Sequence, residues 1–152
     1  MQALALALTL LLPKHGTLVP FHSLGGVRLG MTPAQVRAVW GTRFGRCRGC
    51  AEPTWYYTYR RFVPAGAGVS FRRGRVDAVF TLWSPPGWHA GTLVLGDPKE
   101  EVTSRYGASI RVPCASYDAY LVTHAHVATA FYVFGGRLWG FALIPSSAPA
   151  CR

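Results

Sequence analysis

Leu29-Gly-Met-Thr-Pro-Ala-Gln-Val-Arg-Ala-Val-Trp-Gly41 and Leu95-Gly-Asp-Pro-Lys-Glu-Glu-Val-Thr-Ser-Arg-Tyr-Gly107 are two versions of one segment. Each offers an N-cap residue (Thr32, Asp97), a proline at the first helical position (Pro33, Pro98) and an amide or acid three residues after the cap (Gln35, Glu100), which together predict a capping box. A valine and an aromatic four residues apart follow (Val36 and Trp40, Val102 and Tyr106), and then a glycine suited to a left-handed helix end. Helices of about two turns are unstable alone, so each must rest its valine and aromatic on a sheet. The expected fold is α+β: two tandem units, each a short helix plus about three antiparallel strands, forming one curved sheet with the helices on one side.

Strand signals follow each segment. Val69 to Trp83 reads as a hairpin turning at Arg73-Gly74, with Phe71 opposite Val76, Val69 opposite Ala78, and an apolar face continuing through Phe80 and Leu82. The other face carries Ser70, Arg72, Arg75, Asp77, Thr81 and Trp83. Val127 to Ile144 repeats the pattern around Gly135-Gly136, placing Tyr132 opposite Trp139 and Ala130 opposite Phe141 on the equivalent outer face. The resulting division is 1–26 as export signal and linker, 27–83 as the first helix-sheet unit, 84–91 as connector, and 92–152 as the second unit with a cysteine-bearing tail. Ala3 to Leu12 is an apolar run with the length of a signal core, shorter than a membrane span, although no Lys or Arg precedes it and no small-x-small site follows.

Charge is unevenly placed. The net +10 is nearly all arginine, and from Arg28 to Trp83 ten arginines face only Glu52 and Asp77, giving +8. From Thr92 to Arg152 five basic residues face four acids, giving +1. An acidic protein or anionic envelope component is the expected partner of this field. Arg interleaved with Trp55, Tyr56, Tyr57 and Tyr59 also fits a polyanion or nucleic-acid binder, a lesser alternative because no nucleic-acid motif is present.

The repeated segments, the cysteine-bearing loops after them and the Gly-Arg hairpins resemble the tandem modules of the secreted beta-lactamase inhibitor proteins, and as single copies are similar to small outer-membrane assembly lipoproteins. The resemblance spans Val27 to Ile144 and implies a non-catalytic, exported binding module with an open sheet face; no partner-contacting residue is carried over from it.

Four cysteines allow three pairings. Cys47 with Cys50 and Cys114 with Cys151 ranks first, because Cys47 and Cys114 occupy equivalent loops after Gly41 and Gly107. The alternative use of Cys47-Arg48-Gly49-Cys50 is thiol chemistry, or a metal site with His124 and His126. There is no Gly-x-Ser-x-Gly, phosphate loop or carboxylate pair in a shared motif, so no catalytic residue, metal or cofactor is assigned. The expected protein is extracytoplasmic and non-enzymatic, a monomer or homodimer without a transmembrane span. Its expected contact surface is the sheet face away from the helices, carrying Arg72, Arg75, Trp83, Tyr132, Trp139 and Phe141.

Overall fold

The computed structural model describes residues 16–58, 66–82 and 87–152, so the apolar run read as an export signal, together with Tyr59 and Trp83, lies outside the described residues. The described chain is mostly β. In order it forms β1 (Leu18–Val19), β2 (Ser23–Leu24), α1 (Pro33–Trp40), β3 (Gly45–Arg46), β4 (Thr54–Thr58), β5 (Gly66–Arg72), β6 (Arg75–Leu82), β7 (His89–Ala90), β8 (Leu93–Val94), α2 (Glu100–Tyr106), β9 (Ile110–Pro113), β10 (Asp118–His124), β11 (Val127–Phe134) and β12 (Arg137–Pro145). Eight strands make one antiparallel sheet in the order β3-β4-β5-β6-β12-β11-β10-β9.

This corrects the expected α+β class with two helix-plus-three-strand units. The helices have only eight and seven residues, and stretches read as loops supply the two edge strands, β3 and β9. The core is also shared: Val36 and Trp40 of α1 and Val102 of α2 belong to one buried cluster with Val69, Phe71, Val79, Phe131, Phe141 and Leu143. Both helices therefore lie on the same face of the sheet. Neither half closes a core of its own.

The two helix starts differ. At α1 the capping box forms, with Gln35 N–H donating to Thr32 Oγ1 at 3.2 Å and Thr32 N–H donating to Gln35 Oε1 at 2.8 Å. At α2 it does not: Asp97 Oδ2 accepts from Val94 N–H at 2.9 Å, closing the turn before the helix, and α2 begins at Glu100 without a side-chain cap. The stretches read as linker and connector also join the core. Leu18, Leu24 and Trp88 are buried, and Trp40 Nε1–H donates to the Gly25 carbonyl at 2.8 Å.

Register decides which side chains reach which face. Both hairpin turns use left-handed residues, Arg73-Gly74 and Gly135-Gly136, and the pairs nearest them, Phe71 with Val76 and Val133 with Leu138, stand as the turn geometry predicts. Beyond them each hairpin contains a β-bulge. Ser70 then pairs with Ala78 and Val69 with Val79, leaving Asp77 as the extra residue; Tyr132 pairs with Gly140 and Phe131 with Phe141, leaving Trp139 as the extra one. One added residue exchanges faces for everything after it. Val79 and Phe141 consequently point to the helix side, and Ala78, Phe80 and Leu82 to the other.

The seam between the halves is short, with Ala142 paired to Phe80 and Leu143 to Val79. Above it Phe141 N–H donates to Thr81 Oγ1 at 3.0 Å, and Gly140 passes so near the Thr81 carbonyl that a Cβ would lie 2.3 Å from its oxygen. A side chain at 140 would push the strands apart.

Candidate functional site

Of the six residues expected to share one contact surface, the five described ones are separated by the fold. Phe141 is fully buried on the helix face, edge-on to Phe131 at 5.9 Å. Tyr132 keeps its expected face but is also fully buried, its hydroxyl donating to the Ala150 carbonyl at 2.8 Å. Burial pushes the Tyr132 phenol well above its ordinary value, against the pull of Arg152. Trp139 is half-buried between Tyr117 and Phe134, at 5.2 and 5.9 Å. Arg72 and Arg75 are exposed beside the first hairpin turn, and because β6 and β12 run antiparallel, that turn and the one beside Trp139 point to opposite ends of the seam. Trp83 lies outside the described residues.

The tail is what covers the aromatic half of the outer face. The strands there present Ala119, Ala128, Ala130 and Ala142, small side chains that leave room for a chain to pass over them. The tail lies in that space with Ala150 buried, Arg152 N–H donating to Tyr117 Oη at 2.7 Å, and Cys151 joined to Cys114. Its last side chain reaches over the seam, placing the Arg152 guanidinium 5.8 Å above the Phe80 ring, which itself fills the space over Gly68.

On the first half, Arg72 pairs with Glu52 at 3.1 Å and with Asp77 at 3.6 Å, and Arg75 donates to the Gly30 carbonyl at 3.3 Å. Burial, then the neighbouring Glu52, raises the Asp77 carboxyl above its ordinary value, while Arg152 and Arg72 oppose the rise. Near the second hairpin turn an open depression is lined by Lys99, Arg111, Tyr117 and Asp118, where Arg111 and Asp118 pair at 3.1 Å.

Cys47 is bonded to Cys50 and Cys114 to Cys151, so the cysteine loop holds a disulfide rather than free thiols or metal ligands. Among the described residues no three His, Cys, Asp or Glu side chains converge on a metal position, and no helix is long and apolar enough to cross a membrane. Two of the aromatics that invited base stacking are engaged elsewhere. Trp55 and Tyr57 are buried on the helix side, and Tyr57 Oη–H donates to the Gly41 carbonyl at 3.0 Å, with burial pushing its phenol up to about 12 against the pull of Arg37.

The eight-stranded sheet has a solved counterpart. It is similar to part of a Bacillus anthracis extracellular protein that contains an SCP domain, with a TM-score of 0.56 and 12% identity over 78% of this chain and 44% of that one. A Bacillus subtilis DUF4309-family protein aligns over 76% of this chain and 78% of its own at 14% identity, with a TM-score of 0.49. Neither is a beta-lactamase inhibitor or an assembly lipoprotein by its description. The chain spans less than half the length of the first, and at such identity the likeness concerns the fold. No protein-family model and no curated protein matches the sequence.

A group missed in the sequence lies at the β3 edge. Phe44 stacks on Trp55 at 3.9 Å and 12°, with the Arg37 guanidinium 5.5 Å from the Trp55 ring and that of Arg46 at 5.6 and 5.7 Å from Phe44 and Trp55. Arg28, Arg43 and Arg48 are exposed nearby in sequence, and among the described residues none of these five arginines has an ion pair. The signal for it was the alternation Arg43-Phe44-Gly45-Arg46, which places Phe44 and Arg46 on the same side of an extended chain.

Proposed function

We propose that this is an extracytoplasmic, non-enzymatic binding protein whose partner is anionic and meets the first half of the molecule. The observation that carries the reading is that, among the described residues, Arg28, Arg37, Arg43, Arg46 and Arg48 have no ion pair, while Glu52 is occupied by Arg72. Exposed cations without partners raise the local concentration of an anionic ligand and steer its approach. Two disulfides favour an oxidising compartment. The resemblance of the quoted segments to secreted inhibitor modules points to binding rather than catalysis. Because the tail covers Tyr132 and the bulge turns Phe141 inward, the aromatic half of the outer face is not part of the proposed surface.

Heparin resin supplies the test. Wild type should stay bound at about 0.15 M salt. Arg28→Gln/Arg43→Gln/Arg48→Gln should elute at clearly lower salt than the charge-matched Arg105→Gln/Arg111→Gln/Arg137→Gln. Wild-type elution below about 0.15 M, or equal shifts for the two triple variants, would contradict the reading.

A further inference from the structure

Resting on that reading, we propose that Arg37 and Arg46, beside the Phe44–Trp55 stack, form a platform that binds a linear phosphate-bearing polymer. Three observations meet at this place. First, the cations come from two elements, the last turn of α1 and the edge strand β3, and are brought to one stack of rings 3.9 Å apart. Second, the guanidinium carbons stand 5.5 to 5.7 Å from the ring centroids, within reach of a cation–ring attraction, and neither guanidinium has an ion pair among the described residues. A carboxylate neighbour would have neutralised them; here the neighbouring group is uncharged. Third, Phe44 stacks on Trp55, and Trp55 is buried with its edge contact to Phe71 at 4.6 Å, so those faces are already engaged and not free for nucleobases. Recognition therefore falls on the anionic groups themselves, and a phosphate offers the planar N–H fork of arginine two oxygens while its charges repeat along one flexible chain.

A strand-forming acidic peptide fits less well. It would need an open edge of several residues, whereas β3 is two residues long and is followed at once by the Cys47–Cys50 loop. The ligand chemistry is shared by phosphodiester polymers and sulfated glycans, which the probes below separate.

The experiment measures binding of linear polyphosphate, heparin and poly-glutamate of matched charge by fluorescence anisotropy over a salt series, using the full chain. Polyphosphate should bind tightest. Arg37→Lys/Arg46→Lys keeps net charge and the aliphatic stems but loses the flat, forked contact, and should weaken polyphosphate binding about tenfold, against about twofold or less for Arg28→Lys/Arg73→Lys. Arg37→Ala/Arg46→Ala should flatten the slope of log K against log salt by about 1.4, the contribution of two contacts to a flexible polyanion. Equal binding by wild type and the Arg37→Lys/Arg46→Lys variant overturns the platform while leaving a general basic surface in place. Tighter binding of heparin replaces the phosphate polymer with a sulfated glycan and tighter binding of poly-glutamate replaces it with an acidic protein, either overturning the proposal, and absence of wild-type binding to all three removes both the platform and the broader reading.

Discussion

The β3–β6 and β9–β12 regions of the one sheet treat their charges in opposite ways. In the β9–β12 half, Arg105 pairs with Glu101 one helical turn away at 3.3 Å, Arg111 pairs with Asp118, and Arg137 donates to the Gly96 carbonyl at 2.9 Å. Its outer face carries the tail, held by the Cys114–Cys151 bond. In the β3–β6 half, α1 has no acid in its first turn, and the arginines around β3 are stacked on rings or left in water. One half is internally neutralised, with the tail over its outer face; the other keeps exposed arginines, without ion pairs among the described residues, at its β3 edge on the helix side. The contrast in charge is the ground for placing the proposed surface at the β3 edge.

The largest expected effect tests the covered half. Phe141→Ala should cost about 3 to 5 kcal/mol by urea denaturation, the usual range for truncating a fully buried phenylalanine. A cost under about 1 kcal/mol would mean that Phe141 faces solvent and that the bulge at Trp139 is absent.

The disulfides sharpen the same contrast. On the chain-entropy model Cys114→Ser/Cys151→Ser, opening a loop with a sequence separation of 37, should cost about 4 kcal/mol, against about 2 kcal/mol for Cys47→Ser/Cys50→Ser with a separation of 3. The first pair should also release the tail, so that Tyr132 becomes available to fluorescence quenchers. Equal costs would show that the tail adds nothing to the second half.

Alkaline titration gives the smallest effect. Tyr57 and Tyr132 have phenols raised above the ordinary value by burial, so their contribution to stability is present below about 10, the unfolded value, and is lost as pH rises through the higher folded values. Tyrosinate absorbance should show at least these two phenols ionising late, with unfolding following. Ionisation of all seven tyrosines near pH 10 without unfolding would contradict their burial.

Local signals in the sequence were read well where a few adjacent residues decide the outcome. Thr32 and Gln35 make a capping box, Arg73-Gly74 and Gly135-Gly136 make hairpin turns, and cysteines in equivalent loops pair within their own halves. The misreadings came from longer-range competition. Asp97 had two amide groups within reach and satisfied the turn at Val94 instead of the helix. The bulges at Asp77 and Trp139 are invisible to strict alternation, because an extra residue costs little locally yet reverses every later side chain. The tail has no periodic pattern of its own; only the run of alanines beneath it, at 119, 128, 130 and 142, hinted that something passes over the sheet. The arginine platform was missed because its contacts join residues from α1, β3 and β4, and the one local signal, the spacing of Phe44 and Arg46, reaches neither Arg37 nor Trp55.

The most direct test of the central claim, that the arginines at the β3 edge and not the covered aromatic face meet the partner, is chemical-shift mapping of backbone amides and arginine Nε–H groups during titration with linear polyphosphate. The account predicts that the shifted signals cluster at Arg37, Arg43, Phe44, Arg46 and Arg48, while those of Tyr117, Tyr132, Trp139 and Ala150 stay in place. Shifts concentrated on β10 to β12 and the tail, with the β3 edge unmoved, would contradict it.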